Sequence, residues 1–144
     1  MFRIHRLFIK TAIAYFVLGV LLGGFLLLNK ALWNIPFPYA LVTVHNHMIS
    51  LGFIVMMIMG VAYWMFPRQP GTTREAVAKD PMAWVNYILL NLGLILRAIA
   101  EPFYPASWTR VALAGSAILQ TLGVLFFVGG IWNRVRPPST FPRM

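Results

Sequence analysis

The chain has no cysteine and only three acidic residues, Glu75, Asp80 and Glu101. Without cysteine there are no disulfides, thiolate metal sites, c-type haem attachments or cysteine nucleophiles. Histidine is left as the strong nitrogen ligand. So few carboxylates offer no acid–base pair, and neither a nucleophile–base pair nor a phosphate-binding loop is present, which argues against hydrolytic chemistry. Charge is scarce altogether, at 10% of residues against roughly 25% in soluble domains. Hydrophobic residues make up 60% of the 144.

A span of about 30 Å of hydrocarbon needs about 20 consecutive apolar residues at 1.5 Å per residue. Four stretches qualify, at 7–28, 43–66, 82–100 and 107–132. Little remains outside them, which predicts an all-α fold with one transmembrane domain over 1–144, an integral membrane four-helix bundle. The first stretch follows Arg3, Arg6 and Lys10 as a signal peptide would. Its apolar run is too long for one, and no small-x-small cleavage site precedes Lys30, so we read it as a retained helix.

The formal net charge of +9 matters less than its distribution. Arg3, Arg6 and Lys10 precede the first helix, Arg68, Arg74 and Lys79 separate the second from the third, and Arg134, Arg136 and Arg143 follow the fourth. The other two loops carry Lys30 and Arg110. This asymmetry predicts both termini in the cytoplasm and a multi-pass protein. Basic residues split among loops, with no recognition motif, argue against nucleic acid as a partner. The partner is the lipid bilayer.

Proline-rich loops punctuate the spans: Asn34 to Pro38 and Glu101 to Pro105 on the outer side, with Trp33, Phe37, Tyr39, Phe103 and Tyr104 as interfacial aromatics, and Pro67 to Gly71 on the inner side. The stretch from there to Asp80 predicts a short interfacial turn, and Arg136 to Thr140 a poorly ordered tail. Glycines inside every span predict close helix packing, and some of them could leave room for a flat cofactor. Asn86, Asn91, Ser116 and Gln120 are expected to form interhelical hydrogen bonds.

His45 and His47 begin the second span. Two residues along a helix is a rotation of about 200° and a rise of about 3 Å. The rings therefore point apart, and a single intrachain bis-histidine site is disfavoured. His45 shares its stripe with Gly52, Met56, Met59 and Tyr63, and His47 with Ile54, Ile58, Val61 and Met65. The first stripe offers a ligand, then a missing side chain, then thioethers that line pockets; the second is an aliphatic wall. His45 is thus the better ligand for a macrocycle, with Gly52 and Met56 beneath it. Arg97 and Glu101 stand at the same outer level, four residues apart, and can pair along one face. Arg97 could instead clamp an anionic group such as a haem propionate, with Arg110 as a second candidate.

His45-x-His47-Met48, then Gly52, then Gly60-x-x-Tyr63-x-x-x-Pro67, resembles the second transmembrane helix of the catalytic subunit of haem–copper oxidases, most closely the cbb3-type oxidase and nitric oxide reductase branches and short four-helix relatives of that subunit. The likeness covers about 25 residues. In the large enzymes the histidine of a His-x-Asn motif is an axial ligand of a b-type haem near the outer face; here His45 takes the ligand position and His47 the asparagine position. The resemblance implies haem b, a place in the bacterial or archaeal inner membrane, contact with respiratory-chain components, and a function in electron transfer, sensing of O2 or NO, or haem handling. The remaining ligands of those enzymes come from later helices, whereas the other histidine here, His5, lies at the opposite end. The chain is therefore not expected to be a complete oxidase or reductase on its own. A homo-oligomer, dimer or higher, could complete the site, or the haem could stay five-coordinate. Two other readings stand beside this one: an outer-face copper site using His45, His47 and Met48, which needs a frayed first turn or converging chains, and a cofactor-free accessory or assembly subunit of a respiratory complex.

Overall fold

The computed structural model describes residues 3–66 and 80–135. All regular structure among them is helical. Four helices are long and apolar enough to cross a membrane: α1 (Ile4–Trp33), α2 (Ala40–Met65), α3 (Pro81–Phe103) and α4 (Ser107–Trp132). The fourth matches its predicted bounds at both ends. The first starts at Arg3, four residues early, because Ile4, His5 and Phe8 are buried and belong with the packed face. The loop at 67–79, with its predicted stop signal and basic residues, and the tail from 136 onward lie outside the described residues.

The helices pack as two antiparallel hairpins, α1 with α2 and α3 with α4. In a membrane, lipid tails are as apolar as leucine, so close approach and polar contacts must hold helices together. Along α1 and α2 the register is set by glycines. Gly60 takes Phe8, Gly52 takes the Tyr15 ring, Gly19 takes Ile49, and Gly23 takes the His45 ring. In the other hairpin Gly93 lies against Gln120 and Gly123 against Leu90.

Polar side chains join the hairpins. The Tyr87 and Thr11 hydroxyls bond at 2.7 Å, Tyr15 donates to Asn91 at 3.2 Å, and Asn86 donates to the Tyr63 hydroxyl at 3.2 Å. Ser116 donates across to the Gly93 carbonyl within the second hairpin, while Gln120 bonds Ser116 on its own helix. Three of the four polar residues expected to bridge helices therefore do so. Tyr15→Phe keeps the ring in the Gly52 notch and removes only the rung to Asn91. The expected loss is about 0.5–1.5 kcal/mol, read as an earlier midpoint in a detergent-unfolding titration.

The densest packing gathers Ile4, Phe8, Ala12 and Tyr15 of α1, Met56, Met59 and Tyr63 of α2, Ala83, Leu90 and Leu94 of α3, and Ile131 of α4. It fills the middle of the bundle and the end where α1 starts. The opposite end, where α2 starts, is looser, and a cleft opens there.

Candidate functional site

Two departures from α-helical winding frame this end. At the close of α1, Asn29–Trp33 widens into a π turn. Asn34 then ends it in the left-handed region at φ 50°, its N–H donating to the Asn29 carbonyl at 2.7 Å, a conformation asparagine tolerates better than most residues. Asn29, 2% exposed, pins the next residue with both halves of its amide: Nδ2 donates to the Ile35 carbonyl at 2.8 Å and Oδ1 accepts from the Ile35 N–H at 3.0 Å. In α2, Ala40–His47 is α-helical and Met48–Val55 is π-helical before α-helix resumes at Met56–Met65. Such widened turns are rare and gather at functional sites.

The end of α1, the loop after it and the start of α2 enclose a cleft of about 780 Å³, lined chiefly by Gly23, Leu26, Lys30, Phe37, Tyr39 and His45; the π-wound segment Met48–Val55 does not line it. Its volume falls in the range of cofactor pockets. The lining holds one cation, Lys30, and no carboxylate.

His45 is half-buried, its ring laid on Gly23. Its Nδ1 stands 2.8 Å from the Gly19 carbonyl oxygen. A carbonyl can only accept, so Nδ1 carries the proton, and Nε2 of the neutral ring keeps a free lone pair. His47 repeats the pattern within its own helix, with Nδ1 donating to the Thr43 carbonyl at 3.0 Å. Among the described residues neither Nε2 has a hydrogen-bond partner, and neither is a buried polar atom.

The remaining residues singled out in the sequence are placed elsewhere. Gly52 is buried against the Tyr15 ring, and a Cβ there would stand 2.7 Å from Tyr15 Cγ. Met56 is fully buried in the core. The His45 stripe is indeed the inward face, but α1 fills it, so no flat group can lie on Gly52. Arg97 pairs with Glu101 at 3.1 Å, an ion pair without hydrogen-bond alignment. It lines a separate cavity of about 260 Å³ with Leu51, Ala117, Gln120, Thr121 and Val124. That cavity shares no residue with the His45 cleft. Arg110 is exposed at the start of α4 and lines neither. The cation in the lining of the His45 cleft is Lys30.

Gly19, Gly23, Asn29, Lys30 and Tyr39 were not singled out as site residues from the sequence. The one usable signal was the four-residue spacing of Gly19 and Gly23 at the level of His45. The helix starts at Ala40, three residues earlier than expected, so His45 and His47 lie in the last turn of its regular α-helical segment, which is not frayed, and their imidazoles engage different carbonyls. They do not converge on one metal within a chain, and no group of three or more His, Cys, Asp or Glu side chains converges among the described residues.

Comparison with protein-family models, curated proteins and solved structures finds no match to the chain.

Proposed function

We propose that the protein is a b-type haem-binding membrane protein, with His45 Nε2 as an axial ligand, acting in electron transfer, gas sensing or haem handling. The bond from His45 Nδ1 to the Gly19 carbonyl at 2.8 Å carries this reading. Metal-binding histidines commonly donate their second ring N–H to a carbonyl, which fixes tautomer and ring plane and raises the basicity of the ligating nitrogen. The volume and largely apolar lining of the cleft would admit the group, and Lys30 in that lining would balance a propionate. Arg97, occupied with Glu101 beside another cavity, drops out of that role.

Haem would supply a one-electron couple and an exchangeable axial position. The chain's own part is to hold the imidazole, exclude water with Leu26, Phe37 and Val42, and balance charge through Lys30. The likeness of the His45 segment to a haem–copper oxidase helix agrees with this assignment. In the same reading the protein lies in the inner membrane of a bacterium or archaeon with both termini cytoplasmic and the cleft near the outer face. There respiratory-chain components could exchange electrons with it.

Detergent-purified protein expressed with ample haem should show a Soret band whose reduced-minus-oxidised spectrum is of the b type. His45→Ala should abolish or strongly shift it. A colourless wild-type protein would sink the reading.

A further inference from the structure

We propose that the cavity beside Arg97 is a second binding site, for the head of a neutral, lipid-soluble para-quinone in its oxidised and hydroquinone forms. It shares no residue with the His45 cleft, and it stands whether or not His45 binds haem. A charged side chain within a membrane span is costly, and by default it marks a pathway or a ligand site. Arg97 is only partly matched. Its contact with Glu101, Nε to Oε2 at 3.1 Å, balances charge, but the pair is out of hydrogen-bond alignment and both atoms are buried. Among the described residues no group accepts a hydrogen bond from the guanidinium. Its N–H donors are therefore left for something else, and a buried donor without a partner is the exception that asks for one.

The other polar groups in the lining are equally open. Ser116 spends its only proton on the Gly93 carbonyl at 2.9 Å, so it must accept from Gln120 at 2.8 Å. That fixes the near atom of the amide as Nε2 and leaves Oε1 as an unused acceptor. Thr121 makes no hydrogen bond among the described residues, although a helical threonine can return its hydroxyl to the carbonyl four residues back. Leu51, Ala117 and Val124 complete the wall. Leu51 comes from the π-wound stretch of α2, a kind of turn that gathers at functional sites.

These features select the ligand. Ala117 and Thr121 are exposed, one turn apart, about 15 and 21 Å from the Ser107 end of a helix about 39 Å long. The cavity thus opens sideways at hydrocarbon depth, and its ligand arrives from lipid. Its volume of about 260 Å³ is below that of pockets enclosing a drug-sized molecule, so a single substituted ring enters and the tail stays outside. Glu101 already balances Arg97, so a phosphate or a fatty-acid carboxylate would bring an uncompensated charge into the span. A neutral carbonyl oxygen takes the same N–H donors without that cost. The ester carbonyls of a phospholipid also accept from Arg97, yet they give Gln120 Oε1 no donor. A para-quinone accepts from Arg97 and Thr121, and its hydroquinone form has hydroxyls to donate to Gln120 Oε1.

The test uses the full chain in nanodiscs of zwitterionic lipid and a short-tailed benzoquinone bearing a photoreactive azide. Wild type should bind it saturably, and cross-links competed by the unlabelled quinone should map to Leu51, Arg97 or residues 117–124. Ala117→Phe, on the exposed side of α4, closes the mouth and should abolish the competed labelling. Thr121→Val keeps the shape of the side chain and should weaken binding about 2–10-fold. Arg97→Met combined with Glu101→Leu removes both charges and leaves neither orphaned; it should weaken binding about 10–100-fold. Labelling that is not competed, or that is equal in wild type, Ala117→Phe and Thr121→Val, overturns the proposal. So does a phospholipid that co-purifies with wild type but not with Ala117→Phe and that excess quinone fails to displace, which assigns the cavity to lipid ester carbonyls. None of these readouts involves haem, so a colourless wild type overturns the haem reading alone.

Discussion

Replacing Arg134 by leucine should cost about 2–4 kcal/mol, the largest stability loss expected from a single polar substitution in this bundle. Arg134 follows the last turn of α4 and is only 5% exposed. Its Nη2 donates to the carbonyls of Tyr63 and Phe66, each at 2.9 Å, and its guanidinium lies 5.9 Å from the centre of the Tyr63 ring. These carbonyls belong to the final turn of α2 and the residue after it, where no further helical N–H remains to bond them. A cation there also complements the negative end of the helix. Burial pulls the Arg134 pKa below its ordinary value, and the charge of nearby Asp80 opposes this. Arginine starts so high that it stays charged. The side chain thus ties the end of α4 to the end of α2, beside the edge-to-face contact of Tyr63 with Phe127 that joins the same two helices. Unfolding titrations in detergent should show Arg134→Leu shifted well below wild type and Arg134→Lys between the two, since an ammonium keeps the charge on a shorter stem. An Arg134→Leu midpoint equal to that of wild type would show the clamp to be unimportant.

That residue also marks where sequence reading stopped. The four spans were legible because a membrane demands long uninterrupted apolar runs and forbids little else. The inward stripe of α2 was legible too, since Gly52, Met56, Met59 and Tyr63 are buried while Ile54, Ile58 and Met65 are exposed. Helical periodicity alone separates those faces. Arg134 was read as one of nine loop charges favouring the cytoplasm, yet it is a packed side chain that reaches another helix. Its role depends on a partner 71 residues earlier in the chain, which no local pattern reveals. The same holds for Gly52. A missing side chain announces that something comes close, but not that the visitor is Tyr15 of α1 and not a cofactor.

The π winding was hidden for a different reason. Met48–Val55 is apolar apart from Ser50 and Gly52, and its residue pattern does not distinguish 3.6 residues per turn from a wider turn. His45 is held by α1 at Gly19 and Gly23, one and two helical turns beyond Tyr15, and the room for a ligand lies past Gly23, where α1 itself widens. The cleft is thus built by the end of α1 and the loop that Asn29 pins, not by the stripe of α2.

Gly23→Ala should therefore separate the site from the fold. A Cβ at Gly23 would stand 2.6 Å from Cε1 and 3.0 Å from Nδ1 of His45. The imidazole is rigid and the neighbouring atoms belong to its ring, so the ring as a whole must move and its bond to the Gly19 carbonyl must lengthen or break. Alanine is a better helix former than glycine by about 1 kcal/mol, so propensity works against loss of α1. Gly24→Ala makes the same propensity change one residue away, where a Cβ meets nothing within 4 Å. Loss of an orienting partner commonly weakens metal binding by about 10–100-fold. Titration of haem into apoprotein, followed at the Soret band, should show a loss of that size for Gly23→Ala and wild-type affinity for Gly24→Ala. Nitrogen NMR of labelled histidine reads the same event without any cofactor. The Nδ1–H signal of His45 should be sharp and slowly exchanging in wild type and in Gly24→Ala, and broadened or lost in Gly23→Ala. If the signal persists in Gly23→Ala, the ring is not seated on Gly23, and the geometry that assigns Nε2 as the ligand fails with it.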